Sequence, residues 1–316
     1  MELARRLRDI SRDDAIASYA ELKTHVKCTN PGLRRTGLHA LDYFFLGYRL
    51  RAKTKSHISF ADAMRDPERV AHLTELVRKY KAGVTVDFSD PDDLLRHQYS
   101  VFQLYYGTIN QFRPSVAQWV YCTLKPRVGI LDFSAGWGGR AIAAMAMGIP
   151  YVGIDANKGM ESAYKKMIGT YEHSAPVTMI FKPSETVDFS QFAYDLVFTS
   201  PPYFMIEEYE RMPEYGSKEG FLDKFFRPVV TNAWRHLRTG GHMALNMPHE
   251  MYMAVRDLLP PVARRIQMPV SNRHPTNARK GRKLGTEGAR HELIYVWKKG
   301  GAGPRATRKV KKSREL

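Results

Sequence analysis

The sequence predicts an α/β fold: a seven-stranded, mostly parallel sheet with helices on both faces, preceded by an N-terminal helical region. Three observations carry the prediction. From about Val128 onward, short apolar runs alternate with helix-length segments, the pattern of buried parallel strands joined by crossover helices. The first of these runs leads into a glycine-rich turn that opens a helix. The preceding 97 residues read as helical and mixed in character.

Taken in order, a first amphipathic helix is expected from Ser11 to Val26, with Ile16, Tyr19, Ala20 and Leu22 or His25 near helical spacing. Asn30-Pro31-Gly32 breaks it. Leu38–Leu50 is aromatic-rich (Tyr43, Phe44, Phe45, Tyr48) and flanked by Arg34, Arg35, Arg49, Arg51, Lys53 and Lys55. Another helix is expected over Ser59–Tyr80, with Ser59 or Asp66-Pro67 as its start signal. Strands are expected at Val128–Phe133, Tyr151–Asp155, Val177–Phe181, Tyr194–Thr199 and His242–Met247. The clearest helix among them is Gly220–Leu237, where Phe221, Phe225, Phe226, Val229, Val230 and Ala233 keep helical spacing. Thr239-Gly240-Gly241 ends it. A helix over Glu250–Leu259 and two late strands, Arg264–Met268 and Glu292–Trp297, complete the sheet. The long loop between those strands is basic, with Arg273, His274, Arg279, Lys280, Arg282 and Lys283. After Gly300 the composition turns Gly/Pro- and then Lys/Arg-rich, the signature of a disordered tail. The expected organisation is a helical region over 1–97, an α/β domain over 98–300 and a basic tail over 301–316.

The chain has 316 residues, 43% of them hydrophobic, which is ample for a full-sized core. No apolar run approaches the roughly 18–20 residues that span a bilayer. The opening Met1-Glu2-Leu3-Ala4-Arg5-Arg6-Leu7 lacks the apolar stretch of a secretion signal. The expectation is a soluble, intracellular protein without membrane partners, in nucleus, cytoplasm or virion. Two cysteines, Cys28 and Cys122, lie far apart and read as packed free thiols rather than a disulfide or a zinc site. His236, His242, His249 and His291 show no metal spacing, so no metal is expected. The net charge is +17. Such an excess favours polyanions through counterion release, and a nucleic acid, a ribosome or an acidic membrane would all use it.

Two motifs carry the chemistry. The segment from Val128 through Asp132-Phe133-Ser134-Ala135-Gly136-Trp137-Gly138-Gly139 reads as strand, glycine-rich turn and helix, where a backbone can approach a ligand closely. The next strand ends in Asp155, placed to accept hydrogen bonds from ribose hydroxyls. An adenosyl cofactor and a nicotinamide dinucleotide could both use this architecture. The fourth strand runs into Thr199-Ser200-Pro201-Pro202-Tyr203-Phe204. A rigid Pro-Pro beside a hydroxyl and two aromatics suits a planar substrate at the carboxyl ends of the strands.

Together, and in this order, these motifs resemble motifs I and IV of DNA amino-methyltransferases, which methylate adenine N6 or cytosine N4. The similarity spans about 98–300. The stretch Phe198–Tyr209 and the helix ending Leu237-Arg238-Thr239-Gly240-Gly241 are similar to methylases of phages and large DNA viruses. The resemblance implies the class I methyltransferase, Rossmann-like form of the fold, S-adenosyl-L-methionine as cofactor and DNA as partner. It assigns Asp132, Phe133, Ser134, Ala135, Gly136, Trp137, Gly138 and Asp155 to the cofactor, and Ser200, Pro201, Pro202 and Tyr203 to catalysis. Asn110-Gln111-Phe112-Arg113-Pro114-Ser115 resembles motif X, with Pro114 toward the methionine part of the cofactor; it reads equally as a helix start with proline in its first turn. Glu185 either meets the cofactor adenine or is a solvated loop carboxylate. Ser in place of Asp or Asn before Pro-Pro leans slightly toward cytosine.

Physical chemistry supports these roles. An exocyclic amine is a poor nucleophile because its lone pair is delocalised into the ring. Acceptors such as the Ser200 hydroxyl and the Pro201 carbonyl would localise that pair as it attacks a sulfonium methyl. Tyr203 would stack on a base swung out of the helix. Methylation at cytosine carbon-5 needs a thiolate, and neither cysteine lies near the fourth strand. Methylation of RNA bases or of a protein glutamine uses the same planar chemistry and stays open, as does a catalytically silent nucleic-acid-binding subunit. Without a long insertion for sequence reading, recognition falls on Arg34 and Arg35, on Arg279, Lys280, Arg282 and Lys283, or on a partner subunit or second copy. The aromatics near Arg34 read as core or as base-stacking groups. The tail reads as a nuclear-localisation signal or a non-specific tether.

Overall fold

The computed structural model describes residues 2–26, 28–54, 56–80, 84–202, 215–269 and 293–300. The chain begins with α1 (Glu2–Leu7) and α2 (Arg12–Thr24). A capping box starts α2: the Ser11 side chain accepts from the Asp14 backbone N–H, and Asp14 accepts from that of Ser11. Helix α3 (Leu38–Arg51) follows Gly37, whose φ of 80° places it in the left-handed region. The expected helix over 59–80 divides into α4 (Phe60–Ala63), capped by Ser59, and α5 (Pro67–Tyr80). Pro67 is the reason, because it lacks an N–H and disfavours a helical residue before it. Asp66 recaps the chain there, accepting from the N–H groups of Glu68 and Arg69. Helices α6 (Pro91–Tyr105) and α7 (Pro114–Leu124) both start on proline.

The sheet then alternates with helices: β1 (Ile130–Asp132), α8 (Gly139–Met147), β2 (Tyr151–Ile154), α9 (Glu161–Thr170), β3 (Val177–Ile180) and β4 (Leu196–Thr199). Next come α10 (Lys218–Phe221), a wide π turn over Leu222–Phe226, and α11 (Arg227–His236). The wide turn falls just before Pro228, whose ring cannot accept the carbonyl four residues back in a regular helix. Strand β5 (His242–Met247), α12 (His249–Val255), β6 (Arg264–Gln267) and β7 (Leu293–Lys298) complete the order.

The strands lie in the order β3-β2-β1-β4-β5-β7-β6. The first five are parallel, while β7 runs antiparallel to both β5 and β6. This is the seven-stranded class I methyltransferase arrangement, Rossmann-like, with helices on both faces. Side-chain parity divides its core. Ile130, Leu196, Phe198, Ala244, Ile294 and Val296 face one layer, with α2, α3, α7, α8 and α9. Leu131, Val197, Met243, Leu245, Tyr295 and Trp297 face the other, with α10, α11 and α12. No described helix is long and apolar enough to cross a membrane.

The N-terminal helices are built into this core. Ala15, Tyr19, Leu22, Leu41 and Phe45 pack in the same cluster as Val116, Ile130 and Tyr164. The opposite side of α3, Leu46 and Leu50, packs with α1, α4, α5 and α6 in a second helical core. A division at residue 97 falls inside α6. The expected tail, 301–316, lies outside the described residues.

The cysteines overturn the expectation of two packed thiols. Cys28 and Cys122 are joined in a disulfide with their Cα atoms 5.2 Å apart. The turn after α2 lies across α7 and brings together residues 94 apart in sequence. The bond ties the N-terminal helices to the sheet layer. Cys122→Ser or full reduction is expected to lower stability by about 2–4 kcal/mol, read by urea unfolding. A parent protein indifferent to reductant would contradict the bond.

Candidate active site at the carboxyl ends of the strands

The turn from Phe133 to Gly138 joins β1 to α8 across the sheet's carboxyl edge. Gly136 (φ 58°) and Gly138 (φ 78°) take left-handed conformations that side chains with a Cβ rarely adopt. Gly139 is required for a different reason: a Cβ there would lie 1.9 Å from the Phe112 carbonyl oxygen. The 110–115 segment therefore rests against the turn, and the Arg140 guanidinium lies 5.0 Å over the Phe112 ring.

Asp132 holds the turn from below. It is wholly buried. Its Oδ2 accepts from Arg140 Nε at 2.7 Å and from the Tyr151 hydroxyl at 2.6 Å, and its Oδ1 accepts from the Ser134 N–H at 3.2 Å. Arg140 also donates to the Ser134 carbonyl. Burial, and then the charge of Asp132, push the Tyr151 phenol well above its ordinary pKa, so it stays a proton donor. With its oxygens engaged in these bonds, Asp132 shapes the turn from within. Phe133, Ala135 and Trp137 are buried in the core, and the Ala135 N–H donates to the Ile154 carbonyl at 2.9 Å. Ser134 and Gly136 are half-buried, and the Gly136 carbonyl accepts from the Tyr164 hydroxyl at 2.8 Å.

Asp155 follows β2 and is half-buried. Oδ2 accepts from the Gly136 N–H at 2.8 Å and Oδ1 from the Asn157 N–H at 2.9 Å. It fastens the turn while each oxygen keeps a lone pair for a further donor. Burial raises its pKa to about 6, against the two backbone hydrogen bonds that favour the charged form. After β3, Ser184 donates to the Phe133 carbonyl at 2.5 Å. Beside it, Glu185 Oε1 accepts from the Tyr215 hydroxyl at 2.8 Å. The other oxygen, Oε2, is buried with no hydrogen-bond partner among the described residues. It is thus an acceptor awaiting a donor.

At the end of β4, Ser200 is half-buried and its hydroxyl donates to Asn246 Oδ1 at 3.2 Å. Pro201 is buried and Pro202 half-buried. Tyr203 lies outside the described residues. The Phe198 ring, two residues before Ser200, meets Phe112 edge-on at 5.4 Å. The 110–115 segment therefore spans both the turn and the end of β4.

Arg34 and Arg35 are exposed on the loop before α3. That loop is fastened beside Pro114: Arg113 donates to the Gly32 carbonyl at 2.7 Å and Ser115 to the Arg34 carbonyl at 3.4 Å. Arg113 also donates to the Pro269 carbonyl. Arg279, Lys280, Arg282 and Lys283 lie outside the described residues. Sequence reasoning missed Arg140, Tyr215 and Asn246. Asn246 had a signal, since it is the one amide in an otherwise apolar half of a strand.

No protein-family model matches the chain, and no curated protein matches its sequence. Among solved structures, it is similar to TrmN from Thermus thermophilus, at 14% identity over 73% of this chain and 78% of that one, with a TM-score of 0.41. A TehB-like SAM-dependent methyltransferase from Corynebacterium glutamicum matches at 10% identity over 75% of this chain and all of that one (TM-score 0.40). An S-adenosylmethionine-dependent methyltransferase from Clostridium acetobutylicum matches at 10% over 64% and 97% (TM-score 0.42). Likenesses this distant say nothing about substrate.

Removing the carboxylate beneath the turn leaves a buried guanidinium unpaired. Asp132→Ala is expected to cost about 3–5 kcal/mol of unfolding free energy, read by denaturant titration. A loss below about 1 kcal/mol would contradict the role given to the pair.

Proposed function

We propose that the chain is an S-adenosylmethionine-dependent methyltransferase that modifies an exocyclic amine, cytosine N4 or adenine N6, in DNA. The observation that carries the reading is the meeting of two acceptor sets on one sheet edge. Asp155 and Glu185 line the ends of β2 and β3, and Ser200 stands at the end of β4. The residues fit the cofactor. Asp155 has lone pairs for a ribose diol, Glu185 Oε2 lacks the donor that an adenine amine provides, and Gly136, half-buried with φ 58°, carries no side chain. Bound there, S-adenosylmethionine would supply an electrophilic sulfonium methyl for an amine nitrogen.

The chain's own work is to orient and polarise. The Ser200 oxygen and the Pro201 carbonyl accept from the amine N–H groups, favouring the charge that develops only as the nitrogen reacts. Tyr203 stacks on the flipped base. Three features support a nucleic-acid substrate: the net charge of +17, the exposed Arg34 and Arg35 fastened beside the 110–115 segment, and the basic 270–292 sequence. The residues flanking that sequence are held near the site, Pro269 by Arg113 and Leu293 by Asn246. Phosphate contacts from such residues position a substrate without reading its sequence.

The test is transfer of labelled methyl to duplex DNA, single-stranded DNA and RNA, followed by nucleoside mass spectrometry. The expected product is N4-methylcytosine or N6-methyladenine in DNA. Label confined to RNA or protein would replace the substrate, and no label would remove the activity.

Asp155 adds a pH dependence. Ribose hydroxyls donate to the ionised carboxylate, and that form is lost as pH falls through about 6. Cofactor affinity is therefore expected to drop about tenfold per pH unit below 6 and to level off above 7. Calorimetry on the parent and on Asp155→Asn checks this; a parent profile flat from pH 5 to 7.5 would contradict the ribose role.

A further inference from the structure

We infer that Asn246 is a positioning residue that fixes the Ser200 hydroxyl as a hydrogen-bond acceptor for the reacting amine. The inference rests on the methyl-transfer reading of Ser200.

Asn246 is 1% exposed, on β5 next to β4. The two strands pair in register up to Thr199 and Leu245, which puts Ser200 and Asn246 side by side. The amide Nδ2 donates to the Leu293 carbonyl at 3.2 Å, and Oδ1 accepts from the Ser200 hydroxyl at 3.2 Å. A backbone carbonyl can only accept, so Leu293 decides which way the amide faces; the reverse orientation would set two oxygens against each other. With Oδ1 toward Ser200, the hydroxyl proton points at Asn246. The lone pairs of Ser200 are then left for an N–H donor.

The sense of this bond matters because a serine hydroxyl rotates freely. Turned the other way, it would donate to the amine lone pair and oppose attack. Burying an amide in a strand also carries a desolvation cost that Val or Leu would avoid. The same geometry favours substrates that present a donor over those that present only an acceptor.

The test is a double-mutant cycle in single-turnover methyl transfer to unmethylated plasmid DNA, using parent, Ser200→Ala, Asn246→Leu and the double variant, with cofactor affinity measured for each. Asn246→Leu is expected to lower the rate about tenfold in the parent and less than twofold in the Ser200→Ala background, with cofactor affinity within twofold. Asn246→Asp, which keeps the acceptor toward Ser200, is expected to restore the rate to within about threefold of the parent even where it loses stability. Equal losses in both backgrounds, or a rate that follows stability across the variants, would make Asn246 structural and overturn the inference. A parent that methylates DNA with Ser200→Ala fully active would overturn the role of Ser200 and this inference with it. A parent that transfers no methyl would overturn the activity itself.

Discussion

The buried ion pair between Asp132 and Arg140 is the constraint on which the site depends. It closes the turn after β1 from the inside: one carboxylate gathers a guanidinium from α8, a phenol from β2 and a backbone N–H of the turn. Two charges in so dry a place are tolerable only because nearly every lone pair and proton is used. In return the turn has one shape. Gly136 and Gly138 supply the backbone angles that this shape needs, and Asp155 pins its outer side. The buried carboxylate organises the loop, and Asp155 stays half-buried at the end of β2.

The rest of the fold serves that edge. Five parallel strands deliver their carboxyl ends to one side, so Asp132, Asp155 and Ser200 share one edge although 68 residues separate the first from the last. The strand parity that buries Leu196 and Phe198 on one face and Val197 on the other fixes which way the end of β4 faces. Helices α2 and α3 cover one face of the sheet, and the loop between them carries Arg34 and Arg35 to the 110–115 segment. The N-terminal helices and the sheet therefore share one core, with the Cys28–Cys122 disulfide as a covalent tie between them.

Much of this was legible in the sequence. All seven strands fall where they were expected, and His242–Met247 agrees to the residue, because central strands buried on both faces leave a continuous hydrophobic record, whereas the edge strand Arg264–Gln267 buries only Ile266. The helix over 59–80 was readable as helix, but Ser59 and Asp66-Pro67 were read as alternative starts, whereas both are used. The disulfide left no trace, since a pairing across 94 residues depends on where a turn crosses a helix. Local reading also separated the N-terminal helices from the sheet, whereas α3 has two apolar sides that serve two cores. At the site, the motif placed the glycine turn between β1 and α8 but not the contacts that hold it. Whether Asp132 or Asp155 faces the cleft is decided by Arg140 and Tyr151, which reach Asp132 only in three dimensions. Asn246 was visible as an odd amide in an apolar strand, and its meaning appeared only with Ser200 beside it.

The most direct measurement is a crystal structure of the protein grown with S-adenosylhomocysteine. The expected density places the ribose hydroxyls on the Asp155 carboxylate, the adenine amine at Glu185 and the sulfur toward Ser200, with the Asp132–Arg140 pair unchanged. A ligand bound elsewhere, or an empty strand edge at saturating ligand, would contradict the assignment of this edge as the active site.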